Sequence, residues 1–491
     1  MTPYFHLLQL VLPELIVVVT AIFVLTADLV FLRRAVLRTR LSTAVSLATI
    51  GCVAAVVAIA RATESVNLFD GMLLANPLVH LVQIALLVLT VFVLLLAVDS
   101  DFTDHVGEFV LLILLATVGM MFLVASQDLL TTFISLELLS LPLYILTGFD
   151  KRSARSSEAA VKYFLFGGMS AAFLLFGFSL LYGFANSTNF VEIAAAIHGP
   201  ALNPLLILAI VTTVIGLGFK VAAVPFHFWA PDVYEAAPIP VAAFIASGSK
   251  VASFFVFFQL LAVGFAGAEG SAAWMHLVHG WVPVVAIVAA LSMLLGNTVA
   301  IVQTGLRRLL AYSAIAHAGY MLIGIVAHTP IGLAALLYYV ITYSLGTIGA
   351  FGVIGIVERA SGSDQLANFN GLSKRSPILA GCLFIFLLSL AGIPPLAGFF
   401  GKFYLFVGAL SATSGLLWLV ALAIAMSAVS LYYYLRVLKR VYGEAADTTP
   451  LASSVVSVAT PVVLAVLVVL FGCAPNLLLQ PILNAVHALG N

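Results

Sequence analysis

Apolar runs of about twenty residues recur along almost the whole chain, separated by short polar segments. A helix of that length crosses the roughly 30 Å hydrocarbon core of a bilayer. Of the 491 residues, 63% are hydrophobic and 8% are charged, against about 25% charged in a soluble domain. We therefore predict an all-α polytopic membrane protein that forms one integral membrane domain over residues 1–491, with no separate soluble domain.

We predict fourteen membrane spans, which we number from the N-terminus. They cover 11–31, 41–60, 78–98, 107–125, 129–148, 158–182, 205–229, 238–265, 281–302, 309–327, 333–357, 377–408, 416–435 and 455–475. With this number of spans, every cationic loop residue except Arg61 falls on one side of the membrane. The positive-inside rule assigns that side to the cytoplasm and places both termini on the other side.

Two lysines lie deep inside an apolar stretch, 216–250, that also contains glycines and four prolines. Lys220 and Lys250 are about 22 Å and 18 Å from the span ends that precede them. A lysine near the bilayer centre costs roughly 2.5–3.5 kcal/mol on insertion scales. Snorkelling to an interface is the alternative, but neither residue is near a helix end. Buried cations beside broken backbone predict a path for protons or ions.

Glu137 lies at a similar depth, eight residues into span five. Its carboxyl could be capped by neighbouring hydroxyls such as those of Ser135 or Ser140. Ionisable groups at one depth cannot all face lipid, however, so Glu137 and the two lysines predict a hydrated line in the plane of the membrane.

Lys402 is a fourth deeply placed candidate for this path, and three further residues are secondary candidates. Lys402 lies in span twelve, past the Gly392-Ile-Pro-Pro interruption. His317 is near the middle of span ten, as a satisfied core histidine or as a relay. His227 is near the predicted end of span seven, with an open role. Lys162 follows Glu158 by four residues, which suits an ordinary helical ion pair as well as a functional lysine.

A short internal similarity suggests a repeat. Lys220 follows Gly-Leu-Gly-Phe, Lys402 follows Gly-Phe-Phe-Gly, and the two spans are five apart in order. An odd offset gives the two units opposite orientation, as in the inverted repeats of ion-coupled transporters. We predict repeats at 107–265 and 281–440, flanked by 1–98 and 455–475, with discontinuous helices in spans seven and twelve.

Other functional classes find little support in the sequence. Cys52, Cys382 and Cys473 sit singly in apolar runs without metal or cluster spacing. The formal net charge is zero, which gives no reason to expect a nucleic-acid partner. We expect no metal, iron–sulfur centre, flavin or nucleotide in this chain.

Four stretches resemble the antiporter-like, proton-translocating subunits of respiratory complex I (NADH:quinone oxidoreductase). They are LELLSLPLYILTGF (136–149), SSEAAVKYFLFGG (156–168), PFHFWAPDVYEAAPIPV (225–241) and GIPPLAGFFGKFYLF (392–406). The resemblance extends over about 110–440, and the Val-Tyr after Pro-Asp at 231–234 is similar to the N type of these subunits. A multi-subunit cation/proton antiporter shares the Lys and Glu pattern and is the alternative; a purely structural membrane scaffold would leave the buried charges unexplained.

The resemblance implies a role for each buried charge. Glu137 and Lys220 would form an interacting pair, Lys250 would continue the polar axis, and Lys402 would be the lysine of span twelve. The repeats would be spans 4–8 and 9–13. The chain would hold no redox cofactor, because NADH, FMN, iron–sulfur clusters and quinone belong to partners. Those partners would be other membrane-arm subunits, including further antiporter-like ones, in the bacterial plasma (inner) membrane.

Electrostatics suggests how such residues could move protons. A nearby carboxylate favours the charged form of a buried amine, so separating Glu137 from Lys220 would release the proton from that lysine. We expect Lys402 to be nearest the proton exit, a few residues from the outer end near Gly408. The positive end of the second half-helix should disfavour its charged form there.

Overall fold

The computed structural model describes residues 11–62, 65–69, 71–197, 203–443, 451 and 453–488. The two chain ends, whose side of the membrane we predicted, lie outside these residues. Everything below concerns the described part.

Fourteen spans are present, twelve of them as helices long and apolar enough to cross a membrane. Those twelve are Leu12–Val30 (span 1), Leu37–Arg61 (2), Pro77–Leu96 (3), Val106–Ala125 (4), Leu129–Thr147 (5), Ala154–Ala185 (6), Ile239–Gly264 (8), Trp281–Ala300 (9), Leu306–Ala327 (10), Pro330–Ser361 (11), Leu417–Gly443 (13) and Val455–Cys473 (14). Span 7 consists of Pro204–Lys220 (7a) and Trp229–Ala236 (7b), and span 12 of Pro377–Ala391 (12a) and Ala397–Ala412 (12b). The all-α membrane fold is confirmed, and the helices fall into the fourteen segments that the sequence predicts.

Short elements connect the spans. Two antiparallel hairpins pair Val66–Leu68 with Leu73–Ala75 and Ser271–Ala273 with His276–Val278. Short helices cover Phe190–Ala196 and Leu372–Arg375, 3-10 turns cover Leu366–Phe369 and Ser414–Leu416, and the helix Asn476–His487 follows span 14.

Local sequence explains where several spans begin. Asn76 accepts a hydrogen bond from the backbone N–H of Val79 (2.8 Å), and proline occupies the first position of span 3. Asn203 caps span 7a in the same way, again followed by proline. A side-chain oxygen satisfies an otherwise free N–H, and proline has no N–H to satisfy.

Three spans are interrupted, although the sequence predicts only two interruptions. Spans 7 and 12 break as predicted, and Gly392 ends 12a in the left-handed region (φ +87°) that glycine adopts without strain. Span 8 is also divided at Ser247, into Ile239–Ala246 (8a) and Gly248–Gln259 (8b), before a π-helical turn at Leu260–Gly264. No proline marks this third break; serine and glycine, both weaker helix formers than alanine, surround it.

Contacts between loops divide them into two groups. Loops after odd-numbered spans meet one another: Arg38 pairs with Asp99 (3.5 Å), Arg152 pairs with Asp104 (3.4 Å), and Ser457 donates to Asp99 (2.6 Å). These contacts join the segments that follow spans 1, 3 and 5 to the start of span 14. They place these segments at one face, as the alternation of fourteen spans requires.

The segments after even-numbered spans meet at the opposite face. Asn189, after span 6, donates to the carbonyl of Gly71, after span 2 (3.3 Å). Trp418, at the start of span 13, donates to the carbonyl of Ala272, after span 8 (2.9 Å). We call this face the outer face.

The most enclosed helices are spans 8, 10 and 11. Their most apolar stretches are 94%, 94% and 100% buried, whereas the figure for span 6 is 33%. Lys250 and His317 lie on spans 8 and 10, so both are at the centre of the molecule. The division into inverted repeats at 107–265 and 281–440 stays a prediction.

Candidate functional site

Lys220 is the last residue of span 7a and is 8% exposed. Its Nζ donates hydrogen bonds to Ser140 Oγ (2.5 Å) and to Tyr144 OH (3.2 Å). These two residues are four apart on span 5 and therefore lie on one face of that helix. Hydroxyl groups, not a carboxylate, hold this ammonium group.

The direct contact between Glu137 and Lys220 that the resemblance implies is not made in this structure. Glu137 is half-buried and, among the described residues, forms neither an ion pair nor a hydrogen bond. It shares a helical face with the exposed Ile134 and Leu141, because residues three and four apart lie on the same side of a helix. Its carboxyl lies about one turn from Ser140, which holds the lysine.

Lys250 is the third residue of span 8b and is 1% exposed. Its Nζ donates to the carbonyl of Ala314 on span 10 (2.8 Å) and lies 5.7 Å from the ring centroid of Tyr343 on span 11. The first turn of a helix carries partial positive charge, so Ala314 O and the aromatic face supply the electron density around this amine.

His317 follows Ala314 by one turn of span 10 and is 1% exposed. Its Nδ1 lies 2.6 Å from the hydroxyl of Tyr339, and its Nε2 lies 3.2 Å from that of Tyr434. Both ring nitrogens are therefore within hydrogen-bond distance of a hydroxyl, which suits a satisfied core histidine and a relay alike.

Lys402 is 4% exposed and reaches back across the break of span 12. Its Nζ donates to the carbonyls of Leu390 (3.1 Å) and Ala391 (3.0 Å), and to Ser427 Oγ on span 13 (2.7 Å). It also lies 4.8 Å from the ring centroid of Tyr320.

These contacts correct two expectations about Lys402. Its ammonium meets the last carbonyls of 12a, which form the negative end of a helix dipole, so the expected positive environment is wrong. Span 12b also continues to Ala412, ten residues beyond the lysine, or about 15 Å along the helix axis. Lys402 is therefore well inside the span and is not a few residues from its outer end.

Aromatic rings connect Lys250 with Lys402. The ring of His317 lies 4.9 Å from that of Tyr343, which faces Lys250, and 5.7 Å from that of Tyr320, which faces Lys402. The order along this line is Lys250, Tyr343, His317, Tyr320, Lys402. In the described part, Lys220 shares no hydrogen-bond or ring partner with Lys250.

The sequence reasoning missed the tyrosines that surround these cations. Tyr320, Tyr339 and Tyr434 are fully buried. The ring of Tyr320 faces Lys402, and the hydroxyls of Tyr339 and Tyr434 lie within hydrogen-bond distance of His317. The hydroxyl of Tyr144 accepts a hydrogen bond from Lys220. A tyrosine in the middle of an apolar span was the available signal, because a buried hydroxyl usually needs a partner.

Lys162 belongs to a separate ionic cluster. Its Nζ lies 2.7 Å from Glu158 and 2.8 Å from Asp232 of span 7b. Arg308, at the start of span 10, pairs with Asp232 (3.0 Å) and Glu235 (2.8 Å). The ordinary helical pair is thus present, extended to a cluster that joins spans 6, 7 and 10 at the face opposite the outer one.

His227 lies in the break of span 7, not near the end of that span. Span 7b continues to Ala236, about 14 Å further along. The ring stacks on Phe228 at 4.6 Å, and its buried Nδ1 has no hydrogen-bond partner among the described residues. The sequence prediction ended span 7 at residue 229, which moved His227 to its edge.

Metal binding finds no support in the described residues, where no three His, Cys, Asp or Glu side chains form a group that could hold an ion. The buried lysines instead belong to a line of polar side chains that apolar helices enclose.

Comparisons with known proteins agree on one family. A sequence model described as "NADH:quinone oxidoreductase/Mrp antiporter, TM" matches residues 126–427. NADH-quinone oxidoreductase subunit N 2 from Acidobacterium capsulatum is 54% identical over 490 residues, which cover 97% of this chain and 98% of that protein.

Solved structures give the same picture. A chain of respiratory complex I from Thermus thermophilus with bound aureothin matches with a TM-score of 0.79 and 32% identity, over 95% of this chain and 98% of that chain. A chain of the Mrp complex from Dietzia matches with a TM-score of 0.82 over 100% of this chain and 98% of that one, but at 23% identity it shows the fold alone. This chain therefore belongs to the NADH:quinone oxidoreductase/Mrp antiporter transmembrane family, and within it to the group of complex I subunit N.

Proposed function

We propose that this chain moves protons across the membrane as a non-redox subunit of NADH:quinone oxidoreductase, through Lys220, Lys250, His317 and Lys402. The observation that carries the proposal is the line from Lys250 to Lys402 through Tyr343, His317 and Tyr320. Lysine, histidine and tyrosine can each donate and accept a proton, and water between them would complete the connection.

Lys220 and Glu137 form the end of this line at which we propose that the partners of the ammonium group change. The lysine is held by two hydroxyls of span 5, and the carboxyl lies on the next turn of the same helix. If span 5 rotates or Lys220 changes rotamer, the ammonium group exchanges hydroxyl partners for a carboxylate, which favours its charged form. Returning to the hydroxyls releases the proton toward Lys250.

The energy for this exchange comes from partner subunits. We propose that NADH, FMN, iron–sulfur clusters and quinone are bound there and that this chain holds no redox cofactor. The partners are other membrane-arm subunits, among them further antiporter-like ones. Quinone reduction would bias the Glu137–Lys220 contact through coupled helices with two arrangements.

The orientation follows from the loop charges. The face opposite the outer one carries the cationic loops, and the positive-inside rule makes it cytoplasmic. We therefore assign the chain to the bacterial plasma (inner) membrane with both termini on the non-cytoplasmic side. Protons would enter from the cytoplasm and leave at the outer face.

The test is proton pumping by the intact complex in sealed vesicles. Lys250→Met keeps most of the length of the side chain and removes its titratable group. It should lower NADH-driven acidification about 100-fold or more, the usual contribution of a positioned proton-transfer group. Lys151→Met, in an exposed loop, is the matched control and should pump normally. Normal pumping by an assembled Lys250→Met complex would contradict the proposal.

The cation/proton antiporter alternative differs in its partners. Purification of the tagged chain should recover NADH-oxidising subunits. Recovery of further antiporter-like subunits alone, with proton uptake driven by a sodium or potassium gradient, would favour the alternative.

A further inference from the structure

A cavity of about 310 Å³ lies at the outer ends of spans 1 to 4. Its walls come from the first turn of span 1, the last turn of span 2, the hairpin Val66–Leu68 and Leu73–Ala75, and the first turns of span 3. None of the residues of the proposed proton line touches it, so this cavity needs a separate explanation.

Glu14 lies at the buried base of the cavity and is 6% exposed. Gln83 Nε2 donates to Glu14 Oε1 (2.7 Å) and to the carbonyl of Met121 (3.2 Å), which fixes the amide and the carboxyl group it holds. Within the described ranges, no Lys, Arg or His forms an ion pair with Glu14. A buried carboxylate without a cation is costly, so the described part of the chain leaves this carboxylate in need of a proton or a cation.

The rim of the same cavity carries positive charge. Arg61, at the end of span 2, is exposed and lines the cavity together with His80. A buried anion and an exposed cation in one cavity suit a ligand whose two charges are of opposite sign and are connected by a short linker.

An apolar groove adjoins the cavity. It has a volume of about 400 Å³, shares Ala62 and His80 with the cavity, and runs between spans 2 and 3. Ile59 and Ile84 line it deeper in the membrane. A ligand in the cavity can therefore extend a hydrocarbon chain between the two helices without leaving the protein surface.

We propose that the cavity and groove bind a phospholipid of the outer leaflet with a primary ammonium headgroup, that is, phosphatidylethanolamine. Its ammonium group donates hydrogen bonds to Glu14, its phosphate lies near Arg61, and one acyl chain follows the groove. Charge-assisted hydrogen bonds of this kind are the strong ones. An anionic lipid without an amine has no ammonium group to bind the carboxylate of Glu14. A choline headgroup carries a positive charge but has no N–H to donate.

The test uses the intact complex in nanodiscs of phosphatidylglycerol, titrated with labelled phosphatidylethanolamine or with its N-acylated form, which lacks the ammonium group. The wild-type complex should retain the amine lipid and not the acylated one. Glu14→Gln should weaken binding at least about tenfold, because hydrogen bonds to charged groups contribute that much. Glu192→Gln, which removes an exposed carboxylate elsewhere at the outer face, should bind like the wild type.

Two results with the wild-type complex and Glu14→Gln would overturn the proposal, and a third comes from a variant that fills the cavity. One is equal retention of both lipids by the wild-type complex. The other is an infrared carbonyl band of a protonated carboxyl group that Glu14→Gln removes in the presence of phosphatidylethanolamine, since a neutral Glu14 has no ammonium partner. If Glu14→Gln does not assemble, Ala58→Phe keeps the carboxylate and fills the cavity wall; it should displace the lipid, and unchanged retention would equally contradict the proposal.

Discussion

Lys220 and Lys402 both lie beside a break in a membrane-spanning helix, but different kinds of partner hold their ammonium groups. Lys220 ends its half-helix and bonds to the hydroxyls of Ser140 and Tyr144. Lys402 lies within the half-helix after the break and bonds mainly to the backbone carbonyls of Leu390 and Ala391. Side-chain hydroxyls can rotate, whereas helix-end carbonyls stay where the backbone places them.

The two sites also differ in nearby negative charge. Glu137 lies one turn from Ser140, so the helix that holds Lys220 also carries a carboxylate on the neighbouring turn. Within the described residues, no Asp or Glu contacts Lys402, whose electron density comes from the end of 12a. The comparison suggests that Lys220 is the site at which partner subunits change the charge balance and that Lys402 is an anchored transfer site.

The largest expected effect comes from removing either amine. Lys220→Met and Lys402→Met should each lower NADH-driven pumping in vesicles about 100-fold or more. Only Lys402→Met should also destabilise the subunit, by about 1–3 kcal/mol, because it removes the lysine donor of the buried Leu390 carbonyl and leaves the Ala391 carbonyl with only the hydroxyl of Ser427 (3.3 Å). Thermal dissociation of the subunit from the purified complex measures the difference.

Lys374→Met, at an exposed position of the short helix Leu372–Arg375, is the control for both measurements. Equal loss of stability in the Lys220 and Lys402 variants would show that the difference between hydroxyl and carbonyl partners does not affect the stability of the subunit.

Lys402→Arg separates the two roles of this lysine. A guanidinium group can donate to the same carbonyls and stays protonated at any physiological pH. The variant should therefore recover most of the stability that Lys402→Met loses, while its pumping stays low. Pumping near the wild-type rate would mean that Lys402 does not exchange its proton during turnover.

Variants of Glu137 test the Lys220 site, and we expect a smaller effect from them. Because Glu137 and Lys220 make no direct contact in this conformation, Glu137→Gln should slow turnover without unfolding the subunit; the loss should be about tenfold, which corresponds to about 1.4 kcal/mol. Glu137→Asp keeps the charge at a shorter reach and should lose less. If Gln and Asp slow pumping equally, the carboxylate does not act through its charge.

Much of the fold could be predicted from the sequence because membrane spans are long and uniform in composition. Span boundaries agree to within four residues, except at span 7 and at the end of span 13, which continues to Gly443, eight residues beyond its predicted end. Proline marks the breaks of spans 7 and 12, but the break at Ser247 has no such signal. The sequence prediction also ended span 7 at residue 229, where the chain instead continues as the short helix Trp229–Ala236.

The candidate site was predictable in part. Buried lysines are conspicuous in apolar runs, so Lys220, Lys250 and Lys402 could be found by their charge. Their partners could not, because a carbonyl such as that of Ala314 is not visible in a sequence. The predicted sign of the electrostatic field at Lys402 was wrong for the same reason. The sign depends on which half-helix end the side chain reaches, and only the three-dimensional arrangement determines that.

The smallest expected effect concerns Ser427, whose hydroxyl accepts a hydrogen bond from Lys402. Ser427→Ala removes the hydrogen bond that Lys402 donates to Ser427 (2.7 Å) and the one that Ser427 donates to the carbonyl of Ala391 (3.3 Å). Both carbonyls keep Lys402 as a donor, so the cost should be about 0.5–1.5 kcal/mol. Pumping should fall no more than about tenfold, and the amine should remain anchored. Ser411→Ala, at an exposed position of span 12b whose hydroxyl bonds within its own helix, is the matched control. A Ser427→Ala variant as inactive as Lys402→Met would show that the hydroxyl carries the proton and that the carbonyls only hold the lysine.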